Sequence, residues 1–188
     1  MYTLKQKFLD NLVVFMLIMS SGGLLFVFNR NISYIIFLTI LGISFLLIRK
    51  NVFKTNFYSS IITILILFGL FIINYLFAEN EQELNKYYYY FMVISISVFS
   101  LLYFANNKNQ LLLSLYRVLQ MIVAHSLFNF FMFFFIKDNL VVISSTYHEC
   151  ETFLNLFFYT TERGIITFLN IDFCRNQGLF WEPGVLQV

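Results

Sequence analysis

Apolar residues run almost unbroken through five stretches of the chain, at residues 12–28, 32–48, 57–77, 87–104 and 111–136, with short polar segments between them. Each is close to the roughly 20 residues that a helix needs to cross the hydrocarbon of a bilayer. The first four contain no Asp, Glu, Lys, Arg or His, and a charge at the bilayer centre costs about 2.5–3.5 kcal/mol even on insertion scales. The runs are continuous rather than alternating, which excludes the strands of an outer-membrane barrel. One proline, Pro183, and seven glycines leave little to interrupt long helices. The pattern predicts an all-α membrane protein, a polytopic transmembrane helix bundle.

A long polar segment follows the fifth run. Three regions are therefore expected: a five-span transmembrane region at 1–136, a long extracytoplasmic loop at 137–178, and the start of a further helix at 179–188. Short apolar patches at 140–143 and 153–159 could dip into the membrane interface or form short helices, their secondary structure being ambiguous. Proline suits the first turn of a helix, so the last element is expected to begin near Pro183. Only one turn of it is present, which reads as the N-terminal part of a longer protein.

Orientation follows from the Lys and Arg residues beside the spans. With the N-terminus cytoplasmic, that side holds Lys5, Lys7, Arg49, Lys50, Lys54 and Lys108, with Arg117 able to snorkel towards it, while the short outer loops hold Arg30 and Lys86. Asp10 is then the one acidic residue inside. The run Tyr87–Tyr90 sits where span four would leave the outer water layer, as an interfacial aromatic belt does. Lys5 and Lys7 resemble the start of a signal peptide, but no Ala-x-Ala cleavage site follows, so the first run reads as an anchor.

Composition sharpens this picture. The chain is 60% hydrophobic and 12% charged, against about 25% charged for a globular protein, and its mean hydropathy is +0.77. A soluble single domain is excluded. The net charge of +2, without a basic run, points to no nucleic-acid partner. No Walker loop or dinucleotide fingerprint is present, since Gly22-Gly23 lies inside an apolar run. No cofactor is expected.

Several residues invite chemistry and read more simply as structure. His125 falls near the middle of span five, one turn from Asn129, and suits a neutral imidazole bonded to a neighbouring helix. Ser20-Ser21-Gly22-Gly23 reads as a close-packing patch. Cys150 and Cys174 both fall in the outer loop, where an oxidising compartment would permit a disulfide, but spacing alone does not decide it. His148, Glu149, Cys150 and Glu151 match no zinc pattern, and neighbours on an extended chain point apart. No metal site is expected.

The most specific stretch is Arg175-Asn176-Gln177-Gly178-Leu179-Phe180-Trp181-Glu182-Pro183-Gly184. It resembles the segment R-x-x-G, apolar and aromatic residues, then E-P-G that follows a long outer loop in the Wzy-type O-antigen and capsular polysaccharide polymerases. The resemblance covers about ten residues; elsewhere it extends to layout and composition. It implies a metal-independent membrane glycosyltransferase in the bacterial inner (plasma) membrane, joining oligosaccharide repeat units carried on undecaprenyl diphosphate, with a chain-length regulator protein as a further partner. Lipopolysaccharide or capsular polysaccharide biosynthesis would be its setting. Arg175 and Glu182 are then the candidate catalytic residues, and Arg175, Arg163, Gly178 and Trp181 the candidate contacts to diphosphate and sugar. An O-antigen ligase, or a flippase or permease that breaks no bond, are the competing readings; the Glu-Pro-Gly favours the polymerase, and spans one to four lack the broken helices and charged cavities common in transporters.

Overall fold

The computed structural model describes residues 4–48, 50–79, 83–145, 149–161, 166–168, 171–173 and 178–179. The helices are α1 (Leu4–Gly22), α2 (Leu24–Phe28), α3 (Arg30–Ile48), α4 (Lys50–Phe77), α5 (Leu84–Tyr103) and α6 (Lys108–Ile136), followed by a 3-10 turn at Lys137–Asn139. Each of the five apolar runs is helical. Among the described residues α3, α4 and α6 are long and apolar enough to cross a membrane. Helices α1 and α5 have 19 and 20 residues but are less uniformly apolar, because Lys5, Lys7 and Asp10 open the first and Lys86, five tyrosines and three serines dilute the second.

Two departures from the expected pattern matter. Span one is not one helix: it breaks at Gly23, which has extended backbone (φ −78°, ψ 144°) and caps the short α2. The segment after α6, expected as a loop, carries five short strands: β1 (Val141–Ser144), β2 (Glu149–Phe153), β3 (Phe157–Tyr159), β4 (Ile166–Phe168) and β5 (Ile171–Phe173). Strands β1, β2 and β3 form an antiparallel meander in that order, and β4 pairs with β5. Apolar runs of three to five residues do not distinguish strand from short helix, so the sequence left these patches open.

The chain divides into two compact units, one of Met1–Leu17 with Tyr34–Leu115 and one of Ile18–Ser33 with Tyr116–Val188. In the first, α4 and α5 form an antiparallel hairpin stitched by Phe68 on Phe91 (5.0 Å between centroids) and by Tyr75 on Tyr87 (5.5 Å). Aromatic pairs in such geometry contribute about 0.5–1.5 kcal/mol beyond area burial. Tyr34 meets Tyr89 and Phe45 meets Tyr103, so α3 and α5 run in the same direction, as alternate helices of an up-and-down bundle do. Most of the apolar side of α4, including Ile62, Leu65, Ile66, Ile73 and Leu76, is exposed. In water such a face would drive aggregation; acyl chains match it.

This unit also buries an acidic residue that the sequence placed merely on the cytoplasmic side. Asp10 is fully buried and accepts a 2.7 Å hydrogen bond from the Tyr103 hydroxyl, itself fully buried. A hydrogen bond contributes about 0.5–1.5 kcal/mol net. It joins the start of α1 to the end of α5, so these helices meet with opposite ends together.

Candidate functional site

The second unit holds the segment singled out by the sequence, and it is built on α6. Strand β3 lies at the edge of its sheet, with β2 on one side. An edge strand presents unpaired carbonyls at every second residue. Here α6 meets them: His125 Nε2 lies 3.0 Å from the Leu156 carbonyl, and Asn129 Nδ2 donates to the Phe158 carbonyl at 3.2 Å. The spacings agree, because two residues of strand advance about 6.6 Å and four residues of helix about 6 Å. In return the Tyr159 hydroxyl donates to the Asn129 backbone carbonyl at 2.7 Å.

A carbonyl only accepts, so this contact assigns the proton to Nε2 of His125. Its Nδ1 is buried without a hydrogen-bond partner among the described residues. The ring stacks on Phe157, 6.0 Å between centroids and 8° from parallel. Phe133, Ile136, Phe157 and Tyr159 close a core behind the polar contacts. His125 and Asn129 therefore act as two rungs of a missing strand, and the partner of His125 is the turn carbonyl of Leu156 rather than the neighbouring helix expected from the sequence.

The turn joining β2 to β3 is strained. Leu154 and Asn155 have φ of 55° and 54°, and the Leu156 amide donates to the Phe153 carbonyl at 3.1 Å. Two consecutive left-handed residues make a type I′ turn, which Asn tolerates well. Leucine there costs about 1–2 kcal/mol. The anchoring of Leu156 and Phe158 by α6 offsets that strain.

A second anchor lies at the glycine that ends the R-x-x-G segment. Gly178 is buried with φ 57°, a left-handed conformation that glycine adopts at no steric penalty. The next carbonyl, of Leu179, accepts a 3.0 Å hydrogen bond from the Leu24 amide, just past the break in span one. Leu24, Cys150 and Phe158 form a buried cluster with Ile143 and Leu179 packed against it. The glycine at the break is required by space: a Cβ on Gly23 would lie 2.7 Å from the Met19 carbonyl oxygen and 2.9 Å from its Cα. The close approach at Gly23 is to Met19 of its own helix rather than to a neighbouring helix, as the helix-packing reading expected.

Of the predicted site residues, Gly178 is the one whose placement is described. Arg163, Arg175, Trp181 and Glu182 lie outside the described residues, as do His148 and Cys174. Arg117 is half-buried on α6. Cys150 is a free, fully buried thiol, and burial pushes it up to about 11. The thiol is thus enclosed, and the other half of the bridge that the sequence permits, Cys174, lies outside the described residues. Glu151, on the same strand, is also buried, a placement the charge pattern did not signal. Among the described residues no group of three or more His, Cys, Asp or Glu could hold a metal ion.

Compared with known proteins, the chain matches no family model, no curated protein and no solved structure.

Proposed function

We propose that this chain is a membrane glycosyltransferase of the polysaccharide-polymerase kind, acting on lipid-diphosphate-linked oligosaccharides at the extracytoplasmic face of a bacterial inner membrane. The observation that carries the reading is the segment 175–184, with its Arg, Gly, aromatic pair and Glu-Pro-Gly, set behind a series of apolar helices. The left-handed Gly178 and the bond from Leu24 to Leu179 support it, because they give a functional segment a fixed point of attachment.

The reaction sets clear demands. A sugar hydroxyl of the acceptor attacks the anomeric carbon of the donor, and the bond to the lipid diphosphate breaks. The leaving diphosphate needs cationic donors, and a guanidinium offers it a bidentate fork. Arg175 takes that role, with Arg163 as a second cation. A helix begun at Pro183 would add the partial positive charge of its N-terminus. Glu182 accepts the proton of the attacking hydroxyl or orients Arg175. Trp181 offers a flat apolar face to a sugar ring, and no step requires a metal.

The test is Arg175→Ala at the native locus, reading the length distribution of surface polysaccharide. Loss of long chains with repeat units still made and displayed singly supports a polymerase. Loss of attachment to the lipid A core with chain length intact makes it a ligase. Unchanged polysaccharide refutes both.

A further inference from the structure

Helix α6 is one of the helices long and apolar enough to cross a membrane, and it is longer than a crossing needs. It has 29 residues, against about 20 for the hydrocarbon layer. Any window of that length within Lys108–Ile136 contains His125. At 1.5 Å per residue, His125 lies roughly 3–17 Å inside the boundary nearer Ile136, wherever the window is set.

The hairpin bonded to His125 must lie at the same depth. The chain passes from Leu156 at His125 to Phe158 at Asn129, so β3 runs parallel to α6 and the turn points towards the middle of the helix. The composition of its tip and of β3 suits that depth: residues 152–161 contain no Asp, Glu, Lys, Arg or His, and Glu149 and Glu151 lie at the other end of β2, away from the tip. At the tip, Leu154 is 73% exposed and Leu156 56% exposed. Beside them α6 exposes Leu127, Phe128 and Phe131. An uncovered leucine pair on a strained turn is a liability in water and an ordinary surface in lipid.

We infer that the β2–β3 hairpin is a re-entrant element, dipping into the bilayer along α6 with Leu154 and Leu156 against the acyl chains. Non-helical backbone at membrane depth persists where its polar groups are satisfied by protein. His125 and Asn129 provide that satisfaction for the Leu156 and Phe158 carbonyls, which gives these two polar residues of the C-terminal half of α6 a role there. The occupant of the tip surface is lipid rather than another protein, because the tip leucines lie at the depth of the apolar second half of α6, where Leu127, Phe128 and Phe131 are exposed as well and Asn155 is the one polar residue between the leucines. The inference stands independently of the proposed glycosyl transfer.

The test uses the whole chain in liposomes, with Trp181→Phe removing the one native tryptophan and a reporter introduced as Leu154→Trp. A second reporter, Leu156→Trp, guards against failure of the first to fold, and Asn139→Trp beyond the end of α6 serves as the reference. Lipids brominated in mid-chain should quench the tip reporters at least about twofold more than the reference, with aqueous iodide showing the reverse order. Iodide quenching of the tip equal to that of position 139 overturns the inference. Protection from both quenchers also overturns it, because protein would then cover the tip.

Discussion

The seating of the hairpin on α6 makes a quantitative prediction at Asn129. Its side chain is fully buried and its amide donates to the Phe158 carbonyl at 3.2 Å. Asn129→Leu removes that donor at similar volume and leaves intact the backbone carbonyl that receives the Tyr159 hydroxyl. A carbonyl orphaned in an apolar site costs about 1–3 kcal/mol. Hydrogen bonds between elements of membrane proteins average nearer 0.6 kcal/mol, with a maximum near 1.7, because the unfolded reference also finds partners. Burial of Phe158 between Leu24 and Cys150 keeps water from rescuing its carbonyl, so the upper part of that range applies. The expected loss is about 1–2 kcal/mol, or roughly a 5- to 30-fold shift in the unfolding equilibrium. The measurement is reversible unfolding in mixed micelles of increasing denaturing detergent. Tyr159→Phe and the double variant complete a cycle, and a coupling of about 0.5 kcal/mol or more is expected because both residues hold one strand edge. Wild-type stability in Asn129→Leu would refute the seating: the hairpin would then not depend on α6 for its hydrogen bonds.

Two further outcomes follow from the second unit. Leu24 is the first residue of α2, where proline is tolerated, and Gly23 before it already has the extended backbone that a following proline requires. Leu24→Pro should keep α2 while deleting the bond to Leu179, seen as faster protease cleavage near residue 179 with membrane insertion unchanged; Gly23→Ala should instead lower the folded yield through its clash with Met19. Cys150, with its thiol raised to about 11, should resist maleimide at neutral pH in the folded protein and react once denatured. Since unfolding returns it to its ordinary value of 9.0, its contribution to stability is complete below pH 9 and is lost as pH rises from 9 to about 11, which alkaline unfolding of wild type against Cys150→Ala would measure.

What the chain decided by itself is its solvent. Continuous apolar runs with no charge in four of them leave the helices no environment but lipid, and the helices formed where those runs lie. Period and length settle this locally, since helical backbone bonds close within four residues. Chemistry in the middle of a run was legible too: His125 and Asn129 one turn apart announced a partner for a single helix side. Which partner was not legible, because β3 is brought to α6 by pairing between residues some 30 positions apart, and strands of three residues have no periodicity to read. The same holds for the break in span one. Gly22-Gly23 looks like any small-residue patch until the carbonyl of Leu179 arrives at the Leu24 amide, and Asp10 looks like a surface charge until Tyr103 closes over it. Both depend on which distant side chain fills the space, and only packing in three dimensions determines that.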